Sequence, residues 1–376
     1  MEMDWFLTYF NSLLEQFLDP GKRLFVGYLA SALLIAIVWL IVVLGRRPAS
    51  ALAEVFSPKI WFSQSSRLDV KLFIINRLVF LIFRPALVTQ LALAGTIFIA
   101  LHEVSTLPRG YFAAAPAWVA CLAFSLFLFL LDDFTRYFLH RLLHRWPVLW
   151  AFHKLHHSAE TLTPLTILRT HPVEGVLFAT RSAFVQGVSI GFFVFLFGNT
   201  ATLATVFGVN LAVFTFHIIG SNLRHSHVWI AYPSWLEYIF ISPAQHQIHH
   251  SNDHTHFDRN FGVVLSVWDW IGGSLHLSKN VSGDIQFGLD RHGRQTHRTV
   301  LDAYLLPVRD AFKVLTGTIA SWHGAGSAAS RRADGTGDAA ALRVGNAASD
   351  SAGDAASPSR ASQGQPLDLR SGRRLA

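Results

Sequence analysis

The feature that most constrains the fold is a run of twenty apolar or small residues, Phe25–Leu44. As a helix this run would be about 30 Å long, the thickness of the hydrocarbon core of a membrane. Lys22-Arg23 and Arg46-Arg47 flank it, as cations flank membrane spans. Only 15% of the residues are charged, against roughly 25% in a soluble domain, which excludes a soluble enzyme with a charged shell.

Further apolar stretches predict an all-α fold, a polytopic membrane helical bundle. One runs over Leu78–Leu101 with an interruption at Arg84-Pro85, and the next is Ala113–Leu131. The last two, Ser182–Phe197 and Thr200–Ile219, are separated by the turn residues Gly198-Asn199. They form either a hairpin that spans the membrane or one that dips in and returns.

The distribution of cations predicts the sidedness. The segment Gly45–Arg77 is rich in lysine and arginine, whereas Lys22 and Arg23 are diluted by nearby acidic residues. The positive-inside rule therefore places Gly45–Arg77 in the cytoplasm and the N-terminus outside. Alternation of spans then places Asp132–Gly175 and everything after Gly220 in the cytoplasm. We expect an integral, multi-pass membrane protein with its active site on the cytoplasmic face.

Histidine is concentrated in one part of the chain: fourteen of the 19 histidines lie between positions 140 and 256. Three clusters have spacings that place their members on one helical face, at i, i+3 and i+4 or at i and i+4. Trp146-Pro147 predicts the end of the first helix, and Pro243 predicts the start of the last. The clusters comprise His140 and His144; His153, His156 and His157; and His246, His249 and His250.

Eight clustered imidazoles point to metal binding. Packing them together costs desolvation and cation repulsion unless metal ions remove the need for protons. Their number exceeds the coordination of one ion, so we expect two. Neutral imidazole suits iron, zinc, copper and nickel, which leaves the metal open. The single Cys121 excludes a cysteine-based zinc or iron–sulfur site.

Three other histidines are weaker candidates. His171 follows the second cluster closely and is either a ligand or a partner of a ligand. His225 and His227 follow the last apolar stretch on the predicted metal side. One of them is expected to be a ligand, and we favour His227.

Asp133 precedes the first pair on the same helical face as His140. One interpretation is that it accepts a hydrogen bond from a ligating imidazole on a neighbouring segment. The other is a helix-start carboxylate, for which Asp132 is an equal candidate. Trp268-Asp269-Trp270 is expected to form an interfacial helix with aromatic anchors.

Together these residues resemble the fatty acid hydroxylase / sterol desaturase superfamily of membrane di-iron enzymes. The likeness covers about Phe112 to Leu277. The family often has a His-Ser-Asn element about nineteen residues before the last cluster. His227 lies at that distance from His246, and His225 is the other candidate for the histidine of this element. The matching residues are Asp133, Tyr137, His140 and His144; His153, His156 and His157; Arg169–Glu174; Ser242–His246, His249 and His250; Asp258–Gly262; and Trp268–Gly273.

The resemblance implies two iron ions that use O₂ to hydroxylate or desaturate a lipid, whether fatty acyl, sterol-like or ether lipid. Because the sequence has no evident flavin, dinucleotide or haem motif, it also implies a separate electron donor, such as a ferredoxin or a cytochrome with its reductase. The cations lie among apolar spans, so no nucleic-acid partner is expected. The alternatives are a metal transporter, whose ligands usually lie near the membrane midplane, and a zinc-dependent lipid hydrolase, which needs only three ligands.

The chain divides into four predicted parts. Residues 1–111 form an N-terminal membrane region with about two transmembrane helices, and residues 112–277 form the catalytic domain. Residues 278–323 form a C-terminal cytoplasmic segment. Residues 324–376 lack Phe, Trp, Tyr and Ile and are expected to be a disordered low-complexity tail.

Overall fold

The computed structural model describes residues 2–83, 90–104, 106, 108–198, 202, 205–206, 209–281, 284–289 and 297–333. Helices make up almost all of the regular structure in these ranges, which confirms the all-α prediction. Two strands of two residues each, β1 (Thr205–Val206) and β2 (Val209–Asn210), pair antiparallel. The helices are α1 (Glu2–Leu18), α2 (Val26–Val38), α3 (Pro48–Val55), α4 (Pro58–Trp61), α5 (Gln64–Phe83), α6 (Gln90–Val104), α7 (Ala117–Arg145), α8 (Pro147–His157), α9 (Pro172–Phe197), α10 (Leu211–Ile218), α11 (Ser234–Glu237), α12 (Pro243–His249), α13 (Val267–Ile271) and α14 (Val300–Ala333).

Among the residues that the structure describes, three helical segments are long and apolar enough to cross a membrane. They are Val26–Val43, which is α2 with a short π-helical extension, α7 and α9. The predicted stretch Leu78–Leu101 is divided between α5 and α6, and its interruption at Arg84-Pro85 lies outside the described residues. The two helices α6 and α9 pack closely at Gly191. A Cβ atom there would lie 2.7 Å from the Ala94 carbonyl oxygen, so only glycine allows this approach.

The stretch Thr200–Ile219 does not form a full crossing helix in the described residues. Only α10 is helical, and its eight residues extend about 12 Å. The side chain of Asn210 accepts a hydrogen bond from the Ala212 amide, so this asparagine starts the helix late. This finding favours the form of the hairpin that dips in and returns, and the number of crossings stays a prediction.

Both ends of the apolar segment Val26–Val43 contact the chain that carries His225. At one end the Asn222 side chain donates to the Arg23 carbonyl at 2.9 Å. Beyond the other end, Glu54 of α3 meets His227. Since Arg23 and Asn222 are in contact, they lie on the same side of the membrane. The predictions of an N-terminus outside and of residues after Gly220 in the cytoplasm therefore do not both hold, and the side on which the site lies stays a prediction.

The last helix, α14, packs against α8. Lys154 of α8 forms an ion pair with Asp310 of α14, and Leu155 packs against Ala303. Since α14 continues to Ala333, the first ten residues of the stretch predicted to be disordered are helical. The rest of that stretch, 334–376, lies outside the described residues.

Candidate metal centre

Nine buried or half-buried histidines converge in two groups on one side of the bundle. In each group the candidate ligand nitrogens all lie within 4.8 Å of one another. The first group comprises His140, His144, His153, His157 and His249, and the second comprises His156, His225, His246 and His250.

A sharp turn between α7 and α8 brings the first two clusters face to face. Trp146 ends α7 in an extended conformation, and Pro147 starts α8 at once. The rings of His144 and His157 consequently lie 4.7 Å apart between centroids. This turn follows the expectation from Trp146-Pro147.

The third cluster lies on α12, a helix with a well-defined start. Ser242 and Gln245 form a reciprocal capping box, in which each side chain accepts from the backbone amide of the other. Pro243 occupies the first helical position, as expected from the sequence. The seven-residue helix is therefore held rigidly with His246 and His249 facing the other clusters.

Backbone carbonyls fix the orientation of two imidazoles in the first group. Nδ1 of His140 lies 2.9 Å from the Phe261 carbonyl oxygen, and Nδ1 of His249 lies 2.8 Å from that of Arg259. A carbonyl can only accept, so each Nδ1 must carry the proton and donate. In the neutral ring, Nε2 is left with a lone pair for a metal ion.

The loop that supplies these carbonyls has an unusual backbone. Asp258 and Asn260 adopt positive φ angles of 57° and 56°. Asp269 of α13 stabilises the loop by accepting from the amides of Phe261 and Gly262 at 2.8 and 2.6 Å. Burial raises the pKa of this carboxyl to about 6. The sequence predicted an interfacial helix with aromatic anchors at Trp268-Asp269-Trp270 but gave no indication of this role for Asp269.

A buried carboxylate orients a third imidazole of the group. Nδ1 of His153 lies 2.9 Å from Oε1 of Glu174, and both side chains are at most 3% exposed. Glu174 belongs to the first turn of α9. Sequence reasoning missed this role, although Glu174 stands in the quoted motif just after Pro172, where a helix start could have indicated it.

In the second group the Nε2 atoms meet around His225. Its Nε2 lies 3.2 Å from those of His156 and His250 and 3.0 Å from that of His246. Nitrogens that share one ion at 2.0–2.1 Å are separated by roughly 3 Å, so these distances fit a common metal ion.

A different observation indicates that the first group can also bind a metal ion. The buried Nε2 atoms of His144, His153, His157 and His249 have no hydrogen-bond partner within the described ranges. Unpartnered polar atoms of this kind are costly unless something binds them. Both groups are therefore suited to hold a metal ion.

The structure favours His225 over His227, which revises our prediction. Nε2 of His227 points away from the group and lies 2.9 Å from the carbonyl oxygen of Glu54. His225 ends a 3₁₀ turn that begins at Ser221, and this turn directs its ring inward.

His171 does not belong to either group, contrary to its prediction as a ligand or a ligand's partner. Its Nδ1 accepts from the Val173 amide at 3.2 Å, which makes it the N-cap of α9. Its Nε2 lies 3.3 Å from the Tyr304 carbonyl of α14. It thus positions the helix that carries Glu174.

Both interpretations of Asp133 need correction. It lies within α7 and not at a helix start, and it forms no hydrogen bond with an imidazole in the part of the chain that the structure describes. Its oxygens accept from the amides of Val264 and Leu265 at 2.9 and 3.0 Å and from Trp268 Nε1 at 2.9 Å. Asp133 therefore fixes the segment that follows Phe261 and acts on the metal site only through it. Asp132 instead accepts from Arg136 and Arg181, at 2.7 and 2.8 Å.

Burial keeps the ligand candidates outside the spanning helices neutral. Burial and the nearby His153 lower the pKa of His156 to about 4. Burial and neighbouring imidazoles hold the pKa values of His157, His225, His246, His249 and His250 well below the usual range. Neutral imidazole is the form that binds metal.

A cavity of about 600 Å³ borders both groups, touching His140 and His153 of the first and His156, His225 and His246 of the second. Apolar side chains such as Phe80, Ile167 and Phe178 form part of its wall. Residues before α2 also contribute, although the predicted catalytic domain begins only at residue 112.

Residues 125–274 match the family model of fatty acid hydroxylase. A Delta(7)-sterol 5(6)-desaturase of Eremothecium gossypii is 29% identical over 175 residues, 46% of this chain and 43% of the relative. Alkylglycerol monooxygenase of Homo sapiens is 29% identical over 151 residues, 39% of this chain and 29% of the relative. Lathosterol oxidase of Homo sapiens is 28% identical over 157 residues, 42% of this chain and 46% of the relative.

The chain thus spans less than half the length of these three curated relatives. No solved structure matches it. The family match covers all nine converging histidines, the carbonyl-bearing loop and Glu174. Residues 125–274 of this chain thus match the fatty acid hydroxylase family, and the curated relatives include a sterol desaturase and a lathosterol oxidase.

Proposed function

We propose that this protein is a membrane-bound di-iron oxidoreductase that uses O₂ to hydroxylate or desaturate a C–H bond of a lipid. The observation that carries the proposal is the pair of histidine groups on one cavity. The family relationship supports the same class of reaction. A zinc-dependent hydrolase needs only three protein ligands, fewer than either group offers.

Each group would hold one iron ion. The five imidazoles His140, His144, His153, His157 and His249 would bind the first, and His156, His225, His246 and His250 would bind the second. When bound, the iron ions supply the activation of O₂ for oxidation of the lipid.

The protein's own contribution is orientation. Glu174 and the carbonyls of Arg259 and Phe261 accept hydrogen bonds from the Nδ1–H groups of three candidate ligands. The rings of these ligands therefore need little rearrangement to bind the ions. Asp133 and Asp269 hold the loop that carries two of these acceptors. The apolar part of the cavity wall excludes water from the substrate.

The proposed substrate is a fatty acyl, sterol-like or ether lipid, and relatives include a sterol desaturase and an alkylglycerol monooxygenase. Electrons would come from a separate ferredoxin or cytochrome with its reductase. Residues 112–277 would form the catalytic domain, with the residues before α2 completing the cavity. The site would face the cytoplasm in a multi-pass membrane protein.

Lipid mass spectrometry tests this proposal. Cells that express the intact chain should accumulate lipids changed by +16 mass units for hydroxylation or −2 for desaturation. Cells that express a variant with both His156→Ala and His157→Ala should not, because each group loses a ligand. The same lipid profile in both cell lines, at equal protein levels, would refute the proposal.

A further inference from the structure

The cavity next to the histidines carries an excess of positive charge. Five cationic side chains line it, whereas only Glu15 and Glu174 supply carboxylates, and Glu174 is engaged by His153. The cations are Lys22, Arg23, Arg77, Arg136 and Arg224.

Two of the five have carboxylate partners. Lys22 lies 3.4 Å from Glu15, and Arg136 lies 2.7 Å from Asp132. The other three, Arg23, Arg77 and Arg224, form no ion pair with any carboxylate that the structure describes. Arg23, Arg77 and Arg224 therefore line the cavity without an ion-pair partner, although the charges of Glu15 and Asp133 act on Arg77 and Arg224 from a longer distance.

The hydrogen bonds described for these arginines use only part of their N–H groups. Arg224 is only 3% exposed and donates through Nε and Nη1 to the carbonyls of Ser221 and Val263. The buried Nε atoms of Arg23 and Arg77 have no hydrogen-bond partner among the described residues. Backbone carbonyls hold Arg224 in position, but they do not neutralise its charge.

Other arginines repel Arg23. Burial, followed by the charges of Arg224 and Arg136, lowers the pKa of Arg23 well below its usual value. Holding such groups together is costly unless an anion lies between them. Arginine binds phosphate and carboxylate oxygens with paired, charge-assisted hydrogen bonds.

The apolar part of the cavity wall indicates the chemistry of the rest of the bound molecule. Phe80, Leu81, Ile167, Phe178 and Val263 line the same space, so a bound molecule has an apolar part beside its charged group. A volume of about 600 Å³ lies within the ordinary range for a small-molecule site.

We propose that Arg23, Arg77 and Arg224 bind the anionic head group, a phosphate or carboxylate, of an amphiphilic substrate whose apolar part lies along the apolar wall. This assignment rests on the proposed function, since it names the substrate's polar end for the same site. It also gives the N-terminal segment a role, because Arg23 precedes α2. Arg224 adjoins His225, which places the head group beside the second histidine group.

Binding to the metal-loaded full chain in phosphatidylcholine nanodiscs tests the assignment without turnover. Isothermal titration would compare dodecyl phosphate, dodecanoate, dodecanol and inorganic phosphate. We expect the two anionic amphiphiles to bind about tenfold or more tightly than dodecanol, as expected for charge-assisted hydrogen bonds. Inorganic phosphate should bind more weakly than dodecyl phosphate, because it lacks the apolar part.

Substitutions of the arginines test where dodecyl phosphate binds. Arg23→Gln and Arg77→Gln should each weaken dodecyl phosphate binding by about tenfold. Dodecanol binding should be unchanged, and Arg77→Lys should keep part of the affinity because it keeps the charge. The matched control is Arg67→Gln, since Arg67 lies on the same helix as Arg77 but is exposed and outside the cavity. If Arg23→Gln does not fold, Arg77→Gln carries the test.

Three outcomes would overturn the assignment: dodecanol binding as tightly as dodecyl phosphate, inorganic phosphate binding as tightly as dodecyl phosphate, or equal losses in Arg67→Gln and Arg77→Gln. Metal content is measured in the same samples. Protein that binds its metals and oxidises a lipid without this anion preference would refute the head-group assignment alone. Protein that prefers anions but never oxidises a lipid would refute the proposed function alone.

Discussion

The Nδ1 atom of His153 lies 2.9 Å from a carboxylate oxygen of Glu174, and the two side chains bury each other almost completely. This contact joins α8 to the first turn of α9 and fixes which nitrogen of His153 faces the first histidine group. A residue outside both histidine groups thus determines the orientation of a candidate metal ligand.

Replacing Glu174 should weaken metal binding. Glu174→Leu leaves the His153 Nδ1–H bond buried without an acceptor, and we expect metal affinity or turnover to fall about 10- to 100-fold. Glu174→Gln keeps an acceptor oxygen and should lose less. Metal retention against a graded chelator measures the effect, with Glu160→Leu at an exposed position as the control. If Glu174→Leu retained its metal as well as the wild type, the contact between His153 and Glu174 would have no role in metal binding.

Asp133→Asn should disturb the carbonyl-bearing loop. An amide has one acceptor oxygen, so at least one of the three N–H groups now bound by Asp133 would face an NH₂ group. We expect a loss of about 1–3 kcal/mol of unfolding free energy, with weaker metal retention.

Asp132→Asn is the neighbouring control for this change. Its partners are Arg136 and Arg181, which do not contact the loop. It should lower thermal stability without changing metal retention. Equal metal loss in both variants would show that Asp133 has no particular effect on the site.

Acidification should destabilise the metal-depleted protein. The pKa of His156 is lowered to about 4 in the folded state, below its usual value near 6.5. Above pH 6.5 the histidine is neutral in both states and does not lower the free energy of unfolding. Below pH 6.5 only the unfolded state binds the proton, so the free energy of unfolding falls as the pH approaches the folded pKa. Each one contributes about 1.4 kcal/mol per pH unit in that window.

Thermal unfolding between pH 7.5 and 5 measures this dependence. The midpoint should fall steeply below pH 6.5, and His156→Gln should reduce the slope. A midpoint that stays constant to pH 5 would mean that the histidines are not buried in the neutral form.

Labelling of introduced cysteines tests the sidedness. Probes at exposed positions react most readily, and Lys59, Glu160 and Lys279 are exposed. In a Cys121→Ala background, Lys59→Cys, Glu160→Cys and Lys279→Cys should all react from the cytoplasmic side. Labelling of Glu160→Cys only from outside would overturn the proposed cytoplasmic site.

Local patterns predicted much of the site. The i, i+3 and i+4 spacing of the histidines places them on helical faces, and Trp146-Pro147 and Pro243 mark helix ends, all of which the structure contains. These features depend on residues only a few positions apart, so periodicity and capping rules describe them well.

Contacts between distant segments could not be predicted in this way. The partners of Asp133 lie more than 130 positions away, and the choice between His225 and His227 depends on a 3₁₀ turn that packs against other segments. Arg23 reaches the cavity from a region that the sequence placed outside the catalytic domain. The division into domains and the ligand set stay predictions.

The central claim is that nine histidines bind two metal ions. It is tested most directly by metal analysis of the full chain purified without oxygen and loaded with iron. We expect close to two ions per chain in the wild type and in His227→Ala. We expect close to one in His225→Ala, since His225, unlike His227, belongs to the second group. A wild type that binds one ion or none, or a His225→Ala variant that retains both, would contradict the account.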